Sequence, residues 1–194
     1  MSKEFIINYL SEVKAICDLI SKEDIGKLAE EIDRVKTNKG RLFMLGVGGS
    51  AANASHAVND FRKILNIESY CISDNVSELT ARINDQSWEL SYVESLKVSK
   101  PSPNDALLVF SVGGGSANTS VNLVRCMEYA KNIGSVILSV VSRDGGKARG
   151  LSDVCVLIPS INESRITPHA EEWQMIILHL LVSLLSQKKA KTTI

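Results

Sequence analysis

Short apolar runs alternating with segments of helical periodicity predict an α/β chain: a three-layer α-β-α sandwich around a five-stranded parallel sheet, preceded by an N-terminal helical pair. Three observations carry this expectation. The apolar runs are short and nearly continuous, as strands covered on both faces are. The segments between them repeat their apolar residues at three- and four-residue spacing. Two of the runs end in loops of glycine and serine, the composition of a tight strand-to-helix turn.

Residues 4–20 place Phe5, Ile6, Tyr9, Leu10, Val13 and Ile16 at helical spacing, and residues 22–35 do the same with Ile25, Leu28, Ile32 and Val35. Two helices therefore precede the first strand, and Gly40 ends the pair. The run at 41–45 reads as a buried strand entering Gly46-Val-Gly-Gly-Ser50. A helix at 51–65, a strand at 69–73 and a helix around 76–83 follow. Then come a strand at 106–111, a helix at 116–132 and strands at 135–140 and 154–158. Residues 168–186 form a strongly apolar helix with Pro168 in its first turn. The basic stretch 188–191 reads as a frayed end.

The chain has 194 residues and is 44% hydrophobic, enough for one good core. A single domain over 1–194 is expected, with residues 1–37 serving assembly and 38–194 forming the α/β core. The 22 basic residues balance 22 acidic ones, so no net charge draws the chain to nucleic acid or an anionic membrane. The expected partner is a small molecule. No leader pattern or membrane span is read, which suggests the cytoplasm. Cys17, Cys71, Cys126 and Cys155 are scattered in apolar surroundings without a CxxC pair, and read as buried thiols of a reducing compartment.

Ligands of open α/β sheets sit at the carboxyl ends of the strands. Two such ends here are Gly46-Val-Gly-Gly-Ser-Ala-Ala-Asn53 and Ser111-Val-Gly-Gly-Gly-Ser-Ala-Asn-Thr-Ser120. Glycines let backbone N–H groups approach an anion, while Ser50, Ser111, Ser116 and Thr119 add hydroxyls at helix starts where phosphate is favoured. Gly46-x-Gly48-x-x-Ala51 also fits a relaxed dinucleotide fingerprint, with Asp74 near the second strand. The helical pair and the second serine loop do not belong to that design. A nucleoside-triphosphatase loop lacks its Lys-Ser/Thr pair here.

The motifs Gly46 to Ser50, Ala-Asn-Ala-Ser-His56, Ile72-Ser-Asp74, Asn84-Asp85, Ser111 to Ser116, Asp144-Gly-Gly146 and the acidic start of the last helix run in the order of a known family. The chain resembles the sugar isomerase (SIS) domain family, close to its phosphoheptose isomerases. That resemblance implies aldose–ketose isomerisation of sedoheptulose 7-phosphate through an enediol, for surface polysaccharide synthesis, in a homotetramer with shared active sites. It also implies a carboxylate one turn after His56, met by Asp60 in place of Glu, and a last-helix histidine, aligned with Gln174. The implied catalytic group is Asp60, Glu171, Gln174 and His56. Zinc or another divalent metal would use the same four residues. Gly49, Ser50, Asn53, Asn84, Asp85, Ser111, Gly113, Ser116 and Asp144 would bind the phosphorylated ketose or aldose, Gly113 standing where the family usually has Ser.

Other readings stay beside this one. His169 is either a replacement imidazole or a solvated turn residue, and His179, set among Ile176, Ile177, Leu178, Leu180 and Leu181, reads as a core or interface histidine. Trp88 and Trp173 read as packing anchors. The chain also resembles the non-catalytic regulators that bind the bacterial replication initiator, through Ser50-Ala-Ala-Asn53.

Overall fold

A computed structural model describes residues 2–191, with side chains from 2 to 187. Helices α1 (Lys3–Leu19) and α2 (Lys22–Thr37) lead into β1 (Leu42–Leu45), α3 (Gly49–Lys63), β2 (Ser69–Cys71), α4 (Val76–Asp85) and α5 (Trp88–Val98). There follow β3 (Ala106–Ser111), α6 (Val121–Asn132), β4 (Val136–Val141), α7 (Gly146–Leu151), β5 (Val154–Leu157) and α8 (Ile166–Lys191), the last entered through a single 3-10 turn, Glu163–Arg165. Serines cap α1, α2 and α5: Ser2, Ser21 and Ser87 each accept a hydrogen bond from the N–H three residues on.

All strand pairings are parallel, in the order β2-β1-β3-β4-β5. Alternate residues of each strand serve opposite faces, so two cores form. Leu42, Met44, Ala106, Leu108, Phe110, Leu138 and Val140 pack with α1, α2, α3 and α8. Phe43, Leu45, Leu107, Val109 and Ile137 pack with α5, α6 and α7. This is the expected three-layer sandwich and five-stranded sheet.

Several local expectations change. Helix α5 is new, because Ser91 and Ser95 lie on its buried face and interrupt the apolar pattern there. Their hydroxyls donate to Trp88 O and Ser91 O inside the helix. Helix α7 is new as well; its Lys147 and Ala148 N–H groups donate to Gly115 O and Gly114 O at 2.9 Å, a tertiary contact that outweighs the poor helix propensity of Gly146 and Gly150. Helix α6 starts at Val121, not 116, after left-handed Ser120. Helix α8 continues to Lys191, past the expected end at 186, while the basic side chains at 188–191 lie outside the described residues. Cys126 is buried and Cys71 and Cys155 half-buried, but Cys17 is exposed on α1. The apolar face of α2, expected at a subunit contact, is spent within the chain, with Ile25, Leu28, Ile32 and Val35 in the core. Among the described residues no helix is long and apolar enough to cross a membrane.

Candidate active site

The strand order reverses direction between β1 and β3, which leaves a crevice at their carboxyl ends. A cleft of about 460 Å³ opens there, lined by Ser50, Ser111, Gly113, Ser116, Thr119 and Arg143 among others. Ser111 Oγ accepts from Gly114 N at 3.1 Å, and Ser116 Oγ accepts from Asn118 N and Thr119 N at 3.2 and 3.0 Å. Each hydroxyl oxygen accepts from backbone and donates to no group among the described residues, so its hydrogen remains to be donated to an anion. Ser50 is 1% exposed and its Oγ has no partner, so it is a buried donor waiting for an acceptor. Neither α3 nor α6 has a side-chain hydrogen bond capping its N-terminus. The second glycine loop keeps its shape through contact with α7: a Cβ on Gly114, at φ +69°, would lie 1.9 Å from Gly145 O.

A second group of side chains gathers where α3 packs on α8. Asp60, 9% exposed, has Oδ2 at 3.3 Å from His56 Nε2 and 3.7 Å from His179 Nε2, and the two Nε2 atoms are 3.3 Å apart. Asn59 Nδ2 donates to Asp60 Oδ1 at 2.9 Å. Residues 56 and 60 share a helical face by their spacing. The third member comes from α8, whose His179 is half exposed rather than buried among its apolar neighbours. Three potential acceptors converging this closely call for a shared proton or a cation, and their ligand atoms all lie within 4.8 Å of one another.

Gln174 does not join this group. It is wholly buried, its Oε1 accepts from Asn53 Nδ2 at 3.0 Å, and its Nε2 has no partner. Asn53 also donates to Glu171 O at 2.8 Å, so this pair staples α3 to α8. The carboxylate of Glu171 lies over Gly49, where a Cβ would stand 2.3 Å from Oε2. Glycine at 49 is thus what admits the acid to the start of α3. Glu171, Asn53 and His179 border a second, open hollow together with Tyr9 and Glu172.

His169 is neither a solvated turn residue nor a neighbour of Asp60. It is 3% exposed, with Nε2 at 2.9 Å from Glu12 Oε2 and Nδ1 at 3.2 Å from Glu172 Oε2. Arg165 and Asn162 also bond Glu12, and the Tyr9 hydroxyl donates to Glu172. The Arg165 guanidinium, followed by His169, holds the Glu12 carboxyl well below its ordinary range. Glu172 and burial push the Tyr9 hydroxyl up to about 12. Trp173 is a core anchor, whereas Trp88 is 41% exposed and meets Tyr92 edge-on.

Asn84, Asp85 and Asp144 are not among the residues that line the cleft. Asn84 Nδ2 donates to Asp85 Oδ1 at the exposed end of α4, and Asp144 Oδ1 accepts from Gly146 N in the turn before α7. Sequence reasoning passed over Arg143 and Thr167, which also line the cleft. Thr167 carried no signal, and Arg143 precedes Asp144-Gly-Gly146 in a motif whose acid drew the attention.

Comparison with known proteins adds a lineage to this geometry. The SIS domain family model matches residues 8–142. A phosphoheptose isomerase of Helicobacter pylori (strain Shi470) is 33% identical over 152 residues, covering 74% of this chain and 73% of that protein. A phosphoheptose isomerase of Trichlorobacter lovleyi is 29% identical over 196 residues, covering 95% and 94%. The structure of a phosphoheptose isomerase from Neisseria gonorrhoeae superposes with a TM-score of 0.84 over 95% of this chain and 98% of that one, at 21% identity.

Proposed function

Since the chain belongs to the SIS domain family, whose model spans residues 8–142, we propose that it is a sugar-phosphate aldose–ketose isomerase acting on sedoheptulose 7-phosphate in heptose synthesis for a surface polysaccharide. One observation carries the reading: α3 and α8 together border both an anion-seeking cleft at Ser50 and the His56, Asp60 and His179 group. A phosphate held by hydroxyls and helix N–H groups leaves the carbonyl end of the sugar free to reach that group.

In the proposed reaction Asp60 takes a proton from the hydroxyl-bearing carbon beside the ketone. The C–H electron pair becomes the carbon–carbon double bond of an enediol as His56 or His179 gives a proton to the carbonyl oxygen. Returning a proton to the former ketone carbon, with loss of the hydroxyl proton from its neighbour, completes the aldose. Two imidazole nitrogens and one carboxylate oxygen within 4.8 Å fit a divalent cation such as zinc, and Glu171 borders the hollow that His179 also lines. Such an ion, held by His56, Asp60 and His179, would supply Lewis-acid polarisation of the carbonyl oxygen. Gly49, Ser50, Asn53, Ser111, Gly113 and Ser116 serve substrate binding in this reading; Asn84, Asp85 and Asp144 would need a neighbouring subunit or a moved loop to do so. The reading includes a cytoplasmic homotetramer.

The test is incubation of the purified protein with sedoheptulose 7-phosphate, following aldose formation by NMR. Binding without turnover would favour the regulatory reading. Ser116→Asp puts a carboxylate beside the anion and should abolish binding in calorimetry; retained affinity would remove the cleft from the substrate site.

A further inference from the structure

Arg143 occupies the turn between β4 and α7 with φ +56°, a left-handed conformation uncommon for a residue with a side chain. The turn is anchored on the segment after β5: Arg143 N donates to Ser160 Oγ at 3.2 Å, and Ser142 Oγ donates to Ile158 O at 2.9 Å. From this fixed base the side chain crosses to the β3 loop. Its Cδ and Nε lie 3.6 and 3.9 Å from where a Cβ on Gly113 would stand, so the aliphatic stem runs beside that glycine.

The charge at the end of this side chain is unanswered. Arg41, Arg82, Arg125 and Arg165 each rest on a carboxylate. Among the described residues the Arg143 guanidinium has no hydrogen-bond or ion-pair partner, yet it lines the cleft that holds the unpartnered, buried Ser50 hydroxyl. The remaining donors there are neutral. Hydroxyl and amide N–H groups donate to a sugar hydroxyl oxygen as well as to a phosphate oxygen, whereas a guanidinium fork favours an anion through charge and geometry.

We infer that Arg143 is the residue by which this cleft selects phosphorylated over neutral sugars, its guanidinium pairing with the phosphate dianion beside the Ser50, Ser111 and Ser116 hydroxyls. This rests on the reading that the cleft takes a sugar phosphate. Being exposed, Arg143 is replaceable without disturbing the core.

Calorimetric titration with inorganic phosphate, on the parent protein, Arg143→Gln and Arg143→Lys, tests the assignment without depending on turnover. Arg143→Gln should weaken phosphate about 10- to 100-fold, the scale of a lost charged hydrogen bond, with Arg143→Lys between the two. KM for the ketose phosphate should rise by a similar factor while kcat stays within about threefold, as for a group that holds ground and transition states alike. An Arg143→Gln protein that binds phosphate within about twofold of the parent overturns the assignment. Phosphate binding that needs Arg143 in a protein without isomerase activity would leave the assignment standing and remove the isomerase reading. A parent that binds no phosphate removes both.

Discussion

Asp60 is the residue on which the proposed chemistry turns, because it is nearly buried and shares one small volume with two imidazole nitrogens. Asp60→Asn keeps the shape and removes the base. We expect turnover to fall ~100-fold or more, with KM little changed, since the group acts at the transition state; steady-state kinetics with the ketose phosphate will tell, and an unimpaired variant would pass the role to Glu171. His179→Ala should lower turnover on the same scale. Gln174 makes a contrasting case. Its amide oxygen ties Asn53 within the α3–α8 seam, so Gln174→Ala should cost about 1–3 kcal/mol of stability by opening a cavity at a wholly buried position and breaking the bond to Asn53, read as a lower melting temperature. Sequence spacing alone placed His56 and Asp60 together. The family resemblance pointed to Gln174, while His179, flanked by Ile and Leu residues, reads as a core or interface residue until the packing of α8 on α3 shows which way it faces.

Between elements, α1 is fastened to the start of α8 by polar groups rather than by a large apolar seam. Glu12 from α1 meets Arg165, His169 and Asn162, while Tyr9 meets Glu172 and sets its ring, tilted by 46°, 4.6 Å from that of His169. Glu12 titrates below its ordinary value of 4.5 in the fold, so the unfolded chain takes up this proton first as the solution is acidified. Its contribution to stability is therefore present above about pH 4.5 and is lost as pH falls towards the depressed value. Glu12→Gln should lower the melting temperature at neutral pH and flatten its decline below about pH 4.5, measured by thermal scans across that range. A decline as steep as the parent's would show that other carboxylates carry the acid sensitivity. None of this was legible beforehand, since partners more than 150 residues apart, such as Glu12 and Arg165, leave no periodic trace.

At the scale of the whole molecule, apolar surface remains uncovered on the first and last helices. Phe5, Ile6, Ile7 and Leu10 of α1 are all more than half exposed, and Ile176, Leu180 and Leu184 of α8 are over 40% exposed. These side chains lie on the first and last helices, as expected, while α2 has already used its apolar face on the sheet. The proposed assembly would cover them. Light scattering should report a particle larger than a monomer, and Leu10→Asp should shift it towards the monomer with helix content kept by circular dichroism. A monomeric parent at micromolar concentration would sink the assembly. It would also leave the exposed Asn84 and Asp85 without a neighbouring chain to bring them to a site.

The central strands β1, β3 and β4 announced themselves in the amino-acid order, because residues buried on both faces of a parallel sheet must be apolar almost without interruption. The glycine and serine loops after β1 and β3 were equally plain, since close backbone turns restrict residue choice locally. Helices α5 and α7 escaped notice: one hides serines on its buried face, and the other is held by the loop carbonyls of Gly114 and Gly115. What the sequence determined by itself is thus the layered fold, the two glycine and serine loops at the strand ends and the shared helical face of His56 and Asp60, all of which follow from short-range spacing. Only the tertiary structure decided that His179 faces Asp60, that Gln174 is a buried staple, that Glu171 rests on Gly49 and that Arg143 reaches the cleft. These depend on how helices from opposite ends of the chain are turned against one another, a rotation set by the whole core and encoded in no single segment.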